Sequence, residues 1–137
     1  FNPIHKGHID HIKKAAKLGD YLYIITHSDE VIRKVSKDCW LTLIDRMVML
    51  KAILELYHIN GKVIISIDED GKSVETLKLI RPDCFAKGGD RTPQNMPEDE
   101  IKVCQEIECE IIYGVGDLLG SSSRIMEKYE NTLLLTD

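Results

Sequence analysis

The chain has few cysteines, and their spacing suits neither a metal site nor a disulfide framework. Cys39, Cys84, Cys104 and Cys109 form no C-x-x-C pair and no dense, even pattern. A structural zinc site and a disulfide scaffold both need such a pattern, so the sequence argues against both. We therefore expect four reduced, partly buried thiols.

Long hydrophobic runs and an excess of positive charge are also missing. No apolar segment approaches the ~20 residues that a membrane-spanning helix needs, and the charged start resembles neither a signal nor a transit peptide. Lys and Arg number 18 against 23 Asp and Glu, which gives a formal net charge of −5. This balance disfavours a general nucleic-acid-binding surface but leaves room for a small basic phosphate pocket. We expect a cytoplasmic protein that binds neither membranes nor nucleic acid.

What is present is the composition of one globular domain. The 137 residues are 43% hydrophobic and 30% charged, which is enough to build a packed core. Thr42 and Ser73 are candidate helix caps. Strands are predicted at 21–26, 62–67, 83–86 and 110–113, and helices at 9–18, 30–35, 43 to about 57, 74–81, from 97 and from 121. This alternation predicts an α/β fold: a single Rossmann-like, doubly wound domain with a parallel sheet.

The first eight residues, FNPIHKGH, carry the strongest chemical signal and lead directly into the first predicted helix. Gly7 lets the backbone approach a ligand closely, while His5 and His8 stand in the loop and the first helical turn. Two imidazoles beside helix amides predict an anion site. One alternative is a surface loop with incidental histidines; another places His5, His8 and His11 on a transition-metal face. The metal alternative explains neither the Phe-x-Pro lead-in nor the glycine.

These residues resemble the F-x-P-x-H-x-G-H signature of a nucleotidyltransferase superfamily. Further segments similar to its small cytidylyltransferase-like branch follow in order as far as about residue 129: KKAAKLGDYL, SDE, IDRMVML, IRPDCFAKGGDRTPQNMPE and GSSSRI. Within the branch, the pattern is most similar to heptose 1-phosphate adenylyltransferases and then to glycerol-3-phosphate cytidylyltransferases. Asn2 and Met126 depart from the pattern, since many relatives carry an aspartate and a basic residue there.

The resemblance implies transfer of a nucleoside monophosphate from ATP or CTP to a small phosphorylated substrate. It implies catalytic roles for His5, His8 and Lys37, although the alignment of the lysine could slip to Lys34. A helical arginine of the branch corresponds to Arg46, with a structural salt bridge as the alternative. Nucleotide-binding roles are implied for Phe1, Asn2, Gly7, Gly88, Gly89, Asp90, Arg91, Ser121, Ser122 and Ser123. Mg²⁺ would be held mainly by the substrate phosphates, and a homodimer is plausible.

The resemblance also concerns what precedes Phe1. Family members have a strand there, which forms the centre of the sheet and brings a glycine to the phosphates. We therefore expect the natural chain to continue upstream by roughly the ~5–10 residues of a strand and a turn. Some members of the family are fused to a kinase. The alternative that this domain belongs to a longer bifunctional chain is therefore kept.

Overall fold

The computed structural model describes residues 1, 4–36, 38–89 and 91–116. Helices and strands alternate along this part of the chain, as the hydrophobic pattern predicts. In chain order they are α1 (Lys6–Ala16), β1 (Leu22–Thr26), α2 (Asp29–Ser36), α3 (Leu43–Leu56), β2 (Gly61–Ile65), α4 (Val74–Ile80), β3 (Cys84–Ala86), α5 (Glu98–Glu106) and β4 (Glu110–Ile112). The helix predicted from Ser121 lies outside the described residues.

The strands form two parallel pairs. β1 pairs with β2, with Leu22 opposite Gly61, and β3 pairs with β4, with Cys84 opposite Glu110. Helices connect the two strands of each pair, as parallel strands require. Within the described residues, β1 and β3 each have a hydrogen-bonded strand on one side only. A cavity of about 340 Å³ lies between them. The strand that we expect upstream of Phe1 stays a prediction.

Each strand pair has its own hydrophobic core. The first core combines residues of α1, β1, α3 and β2: Ile12, Ile24, Leu50, Ile53, Leu54 and Val63. The second combines residues of α4, α5 and the segment leading into β4: Leu77, Val103, Cys104 and Cys109. We call these two units the first half and the second half of the domain. The carboxyl ends of β1 and β3 border the cavity between them.

The helix caps follow the sequence prediction in one case and correct it in two. The Thr42 hydroxyl accepts the Asp45 N–H at the start of α3, as predicted. Ser73 makes no side-chain cap for α4. Instead the buried Asp68 carboxylate accepts the N–H groups of Glu75 and Thr76 at 2.8 and 3.0 Å, because the preceding loop folds back over the helix start. Pro97 is the residue before the first turn of α5 and not its first helical residue.

The thiol prediction is confirmed. All four cysteines are free; Cys104 and Cys109 are buried, and Cys39 and Cys84 are partly buried. Burial, together with the adjacent Cys104, raises the pKa of Cys109 to about 12. Since the thiolate is the reactive form, Cys109 is inert at neutral pH. In the described ranges, no helix is long and apolar enough to cross a membrane.

Candidate functional site

His5 and His8 cap the start of α1 through their own side chains. His5 Nδ1 accepts the Gly7 N–H at 3.1 Å, and His8 Nδ1 accepts the His5 N–H at 3.2 Å. The two rings stack with their centroids 3.9 Å apart. This reciprocal cap satisfies N–H groups that a helix start otherwise leaves unpaired. It also fixes the orientation of both imidazoles.

The cap has a consequence for the ring nitrogens, because Nδ1 of each histidine accepts a backbone N–H. A neutral imidazole that accepts at Nδ1 carries its hydrogen at Nε2. Burial, together with the nearby Phe1 amino group and His5, lowers the pKa of His8 to about 4, so His8 is neutral at physiological pH. His8 therefore presents an uncharged ring beside a helix N-terminus, with its Nε2 3.4 Å from the Phe1 amino nitrogen. This arrangement can hydrogen-bond an anion without adding full positive charge.

The described residues do not assemble the alternative metal face. His5 and His8 use their Nδ1 atoms for the helix cap, and His11 Nδ1 contacts the Val115 carbonyl oxygen in the second half. Among the described residues, no group of three or more His, Cys, Asp or Glu side chains could hold a metal ion. His11 instead ties α1 to the loop after β4.

Phe1 and Gly7 support the histidines in different ways. The Phe1 ring packs on the first core, lies 5.1 Å from the His8 ring and borders the cavity. Gly7 is buried, and its N–H already donates to His5. Its N–H is thus used in the helix cap, and the close approach of its backbone to a ligand stays a prediction.

Lys87 follows the carboxyl end of β3 and lines the cavity. Its ammonium lies 4.8 Å from the centroid of the Phe85 ring. Burial lowers its pKa, Arg91 adds to that effect, and the charge of the buried Glu100 opposes it. Lys87 forms no salt bridge with a described residue. A partly desolvated cation of this kind gains most from an anionic ligand.

The predicted glycine loop is packed tightly on one side and open on the other. A Cβ on Gly88 would lie 2.6 Å from the Val115 oxygen and 2.8 Å from His11 Nδ1, so no larger residue fits. Gly89 has a φ of +61°, and a Cβ there would meet nothing within 4 Å. Arg91 is exposed, borders the cavity and donates to the Asn95 carbonyl at 3.0 Å.

The sequence analysis did not single out His27, which follows β1. Its Nδ1 is buried without a hydrogen-bond partner among the described residues, and its ring borders the cavity. Burial lowers its pKa, the charge of Asp68 opposes that effect, and the charge of Arg46 adds to it. Like Lys87, His27 comes directly after a strand. The rule that ligands gather at the carboxyl ends of parallel strands could have identified both.

Arg46 has the structural role that the sequence analysis kept as an alternative. It is 1% exposed, and its guanidinium donates to the His27 carbonyl at 2.7 Å and to Asp29 at 2.8 Å. It also donates to the Thr26 hydroxyl and to the Leu41 carbonyl. These bonds fix the chain that leaves β1, and with it the backbone of His27.

Several predicted site residues lie outside the described residues: Asn2, Lys37, Asp90, Ser121, Ser122 and Ser123. Their roles stay predictions. Lys34, the alternative to Lys37, is exposed in the last turn of α2.

The chain is similar in sequence to known proteins. Residues 1–129 match the family model described as Cytidylyltransferase-like. The bifunctional protein HldE of Syntrophotalea carbinolica is 31% identical over 136 residues, covering 95% of this chain and 26% of that protein. The D-beta-D-heptose 1-phosphate adenylyltransferase of Bordetella bronchiseptica is 33% identical over 106 residues, covering 74% of this chain and 60% of that protein. The chain thus spans less than two thirds of either relative.

A solved structure shows the same fold. The lipopolysaccharide core biosynthesis protein of Thermoplasma volcanium superposes with a TM-score of 0.66 at 23% sequence identity, covering 85% of this chain and 91% of that one. This similarity confirms the predicted Rossmann-like α/β class.

Proposed function

The chain belongs to the cytidylyltransferase-like family, and from that premise we propose that it transfers adenosine monophosphate from ATP to a sugar 1-phosphate. A phosphate oxygen of the sugar attacks the α-phosphorus of ATP. A new P–O bond forms, the bond between the α-phosphorus and the bridging oxygen breaks, and pyrophosphate leaves with the bonding pair. The attacking phosphate is already ionised at neutral pH, so the reaction needs positioning and charge stabilisation more than a base.

The observation that carries this proposal is the reciprocal cap of His5 and His8. It uses the Nδ1 atom of each ring and leaves both Nε2 atoms outside the cap at the start of α1, where phosphate oxygens are favoured; the His8 Nε2 lies 3.4 Å from the Phe1 amino nitrogen. We assign the two Nε2 atoms, as hydrogen-bond donors, to the oxygens of the α-phosphoryl group, on which charge builds during transfer. A well-placed donor of this kind is worth about 10²–10³ in rate.

Lys87 and His27 form the other part of the proposed site. They follow the two strands whose carboxyl ends border the cavity. The charge of Lys87 contributes to lowering the pKa of His27. We assign the Lys87 ammonium to the sugar phosphate, with the His27 ring bordering the same cavity. Lys37, Asp90 and the serines from Ser121 to Ser123 stay assigned to the nucleotide by family resemblance, together with Asn2.

Mg²⁺ belongs in this proposal as part of the nucleotide substrate. Magnesium prefers oxygen ligands and retains several waters, so phosphate oxygens and water would hold it. A neutral ring such as that of His8 complements a metal-bound triphosphate, since it adds no repulsion toward the cation.

ATP and a heptose-like phosphate are favoured over other pairs because the Bordetella relative bears the name of a heptose 1-phosphate adenylyltransferase. The decisive experiment measures pyrophosphate release by the full chain for ATP and CTP, each with D-β-D-heptose 1-phosphate and glycerol 3-phosphate. We expect turnover with ATP and the heptose phosphate. Turnover only with CTP and glycerol 3-phosphate would identify the alternative, a polyol-phosphate cytidylyltransferase.

The assignment of Lys87 has its own test in the same assay. Lys87→Met should raise the KM for the sugar phosphate by about tenfold or more, since it removes a charge-assisted contact, and should leave the KM for ATP nearly unchanged. Lys72→Met is the matched control, because Lys72 borders the same cavity but is paired with Asp99 at 3.0 Å. An effect of Lys87→Met on ATP alone would contradict the assignment.

A catalytically weak nucleotide-binding module is the remaining candidate, favoured by Asn2 and Met126, which replace residues common in the family. Calorimetric binding of ATP by a folded chain that releases no pyrophosphate with any acceptor would establish it.

A further inference from the structure

His11 lies about one helical turn after His8 on α1 and reaches into the second half of the domain. Its Nδ1 contacts the Val115 carbonyl oxygen in the loop after β4. A carbonyl oxygen can only accept a hydrogen bond, so Nδ1 is the donor. The Val115 N–H in turn donates to the Lys87 carbonyl at 3.0 Å, and the Lys87 N–H donates to the Ile112 carbonyl of β4 at 2.8 Å. Two hydrogen bonds therefore connect the helix that carries His8 to the backbone of Lys87.

Two glycines allow the backbone of the second half to lie directly against His11. A Cβ on Gly88 would lie 2.8 Å from His11 Nδ1. Gly116 has a φ of +118°, and a Cβ there would lie 3.0 Å from both the Cα and the Cβ of His11. Neither position has room for a side chain. Packing this close leaves α1 little freedom to move relative to the segments that follow β3 and β4.

The alignment of the two halves matters because each half carries one part of the proposed site. His5 and His8 on α1 are assigned to the α-phosphoryl group, and Lys87 after β3 is assigned to the sugar phosphate. The halves have separate cores, and the cavity lies between β1 and β3. Their alignment therefore depends on contacts that cross from one half to the other, and the hydrogen bond of His11 is such a contact.

We propose that His11 is a positioning residue, which holds the phosphate bound by Lys87 in line with the α-phosphoryl group bound at the start of α1. This inference rests on the proposed function. In this role His11 acts through Val115 and the backbone of Lys87, and not by contact with either substrate. Transfer requires reacting atoms about 3–3.5 Å apart, and a misplacement of about 1 Å can cost about 10²-fold in rate.

Calorimetric binding of three ligands to the full chain tests this role. The ligands are ATP alone, D-β-D-heptose 1-phosphate alone, and ADP-D-β-D-heptose, the expected product, whose pyrophosphate spans both parts of the site. His11→Leu removes the donor and keeps most of the volume. It should bind each substrate alone with nearly unchanged affinity and bind the product about tenfold more weakly or worse, because a ligand that spans two subsites needs both in register. A merely structural role would weaken the binding of every ligand alike.

Three further variants show whether the hydrogen bond and the close packing are responsible. His11→Asn should recover product binding, since the amide nitrogen of Asn can replace Nδ1 as the donor. Gly116→Ala leaves the imidazole in place but pushes the loop away from α1, so it should weaken product binding alone. Lys14→Leu is the matched control, because Lys14 lies on the same helix but pairs with Asp10 within that helix at 2.9 Å. It should bind all three ligands as the wild type does.

The pyrophosphate assay then separates this proposal from the proposed function. His11→Leu should lose about 10²-fold in kcat. A wild type that binds the product but releases no pyrophosphate would contradict the proposed function alone, since the binding comparison needs no turnover. Unchanged product binding by His11→Leu, an equal loss for ATP, or a wild type that does not bind the product would overturn the role of His11. Failure of His11→Asn to recover product binding would overturn it as well.

Discussion

The two halves of the domain hold their key cations in opposite ways. In the first half, Arg46 is 1% exposed and donates to two carbonyls, a hydroxyl and the Asp29 carboxylate. In the second half, Lys87 rests on the Phe85 ring, loses hydration and forms no salt bridge with a described residue. Both cations stand beside the carboxyl end of a strand. The first cation makes four hydrogen bonds within the protein, and the second, among the described residues, is held only by the face of an aromatic ring.

This difference distinguishes a cation that holds the structure together from a cation that is available to a ligand. A buried charge that is paired and hydrogen-bonded within the protein is costly to disturb and is not exposed to a ligand. A partly desolvated charge without a partner costs stability, and a protein keeps such a group where a ligand compensates for it. We therefore attribute loop positioning to Arg46 and phosphate binding to Lys87.

The largest expected effect is on stability in the first half. Arg46→Met should lower the free energy of unfolding by about 3–5 kcal/mol, because Asp29 and the carbonyls of His27 and Leu41 lose their donor. Lys87→Met should leave the free energy of unfolding unchanged or raise it. Urea denaturation of both variants measures the difference. Equal destabilisation would remove the distinction between the two cations.

A smaller effect separates the two glycines of the second half. Gly88→Ala should cost about 1–3 kcal/mol, since the new methyl group meets the Val115 carbonyl and His11. Gly89→Ala should cost about 1 kcal/mol, because only its left-handed φ opposes a side chain. Thermal melts rank the two variants. If Gly89→Ala proved the more destabilising, the tight packing inferred for Gly88 would be wrong.

The smallest effect is a pH dependence in the first half. The pKa of His8 is about 4 in the folded chain and about 6.5 when unfolded, so the unfolded state binds more protons between these values. The His8 contribution to stability is therefore complete above about pH 6.5 and is lost as the pH falls toward 4. Between pH 7 and pH 5, the melting temperature should drop more for the wild type than for His8→Asn. An equal drop in both proteins would mean that His8 does not titrate this way.

The sequence predicted those features that short segments determine. The order and type of the described elements follow from local hydrophobic periodicity, and Thr42 caps the helix that begins beside it. Ser73 was wrong as a cap because Asp68, which supplies the carboxylate, returns to the helix only through tertiary folding. The apolar pattern likewise could not show that Arg46 occupies the inner face of α3.

The candidate site was likewise predictable only where its residues lie close together in the sequence. His5 and His8 lie close in sequence, so their motif alone indicates an anion site. Which ring nitrogen each histidine uses for the helix cap depends on backbone contacts, which spacing does not reveal. His27 and Lys87 lie 60 residues apart, and only the folded chain brings them to one cavity.

The most direct test of this account is the turnover of His8→Asn. The Asn side-chain oxygen can still accept the His5 N–H, but no donor remains at the position of Nε2. With ATP and the sugar phosphate that the wild type uses, we predict a loss in kcat of about 10²–10³ with little change in melting temperature. Wild-type turnover by a folded His8→Asn would contradict the claim that these imidazoles stabilise the transferred phosphoryl group.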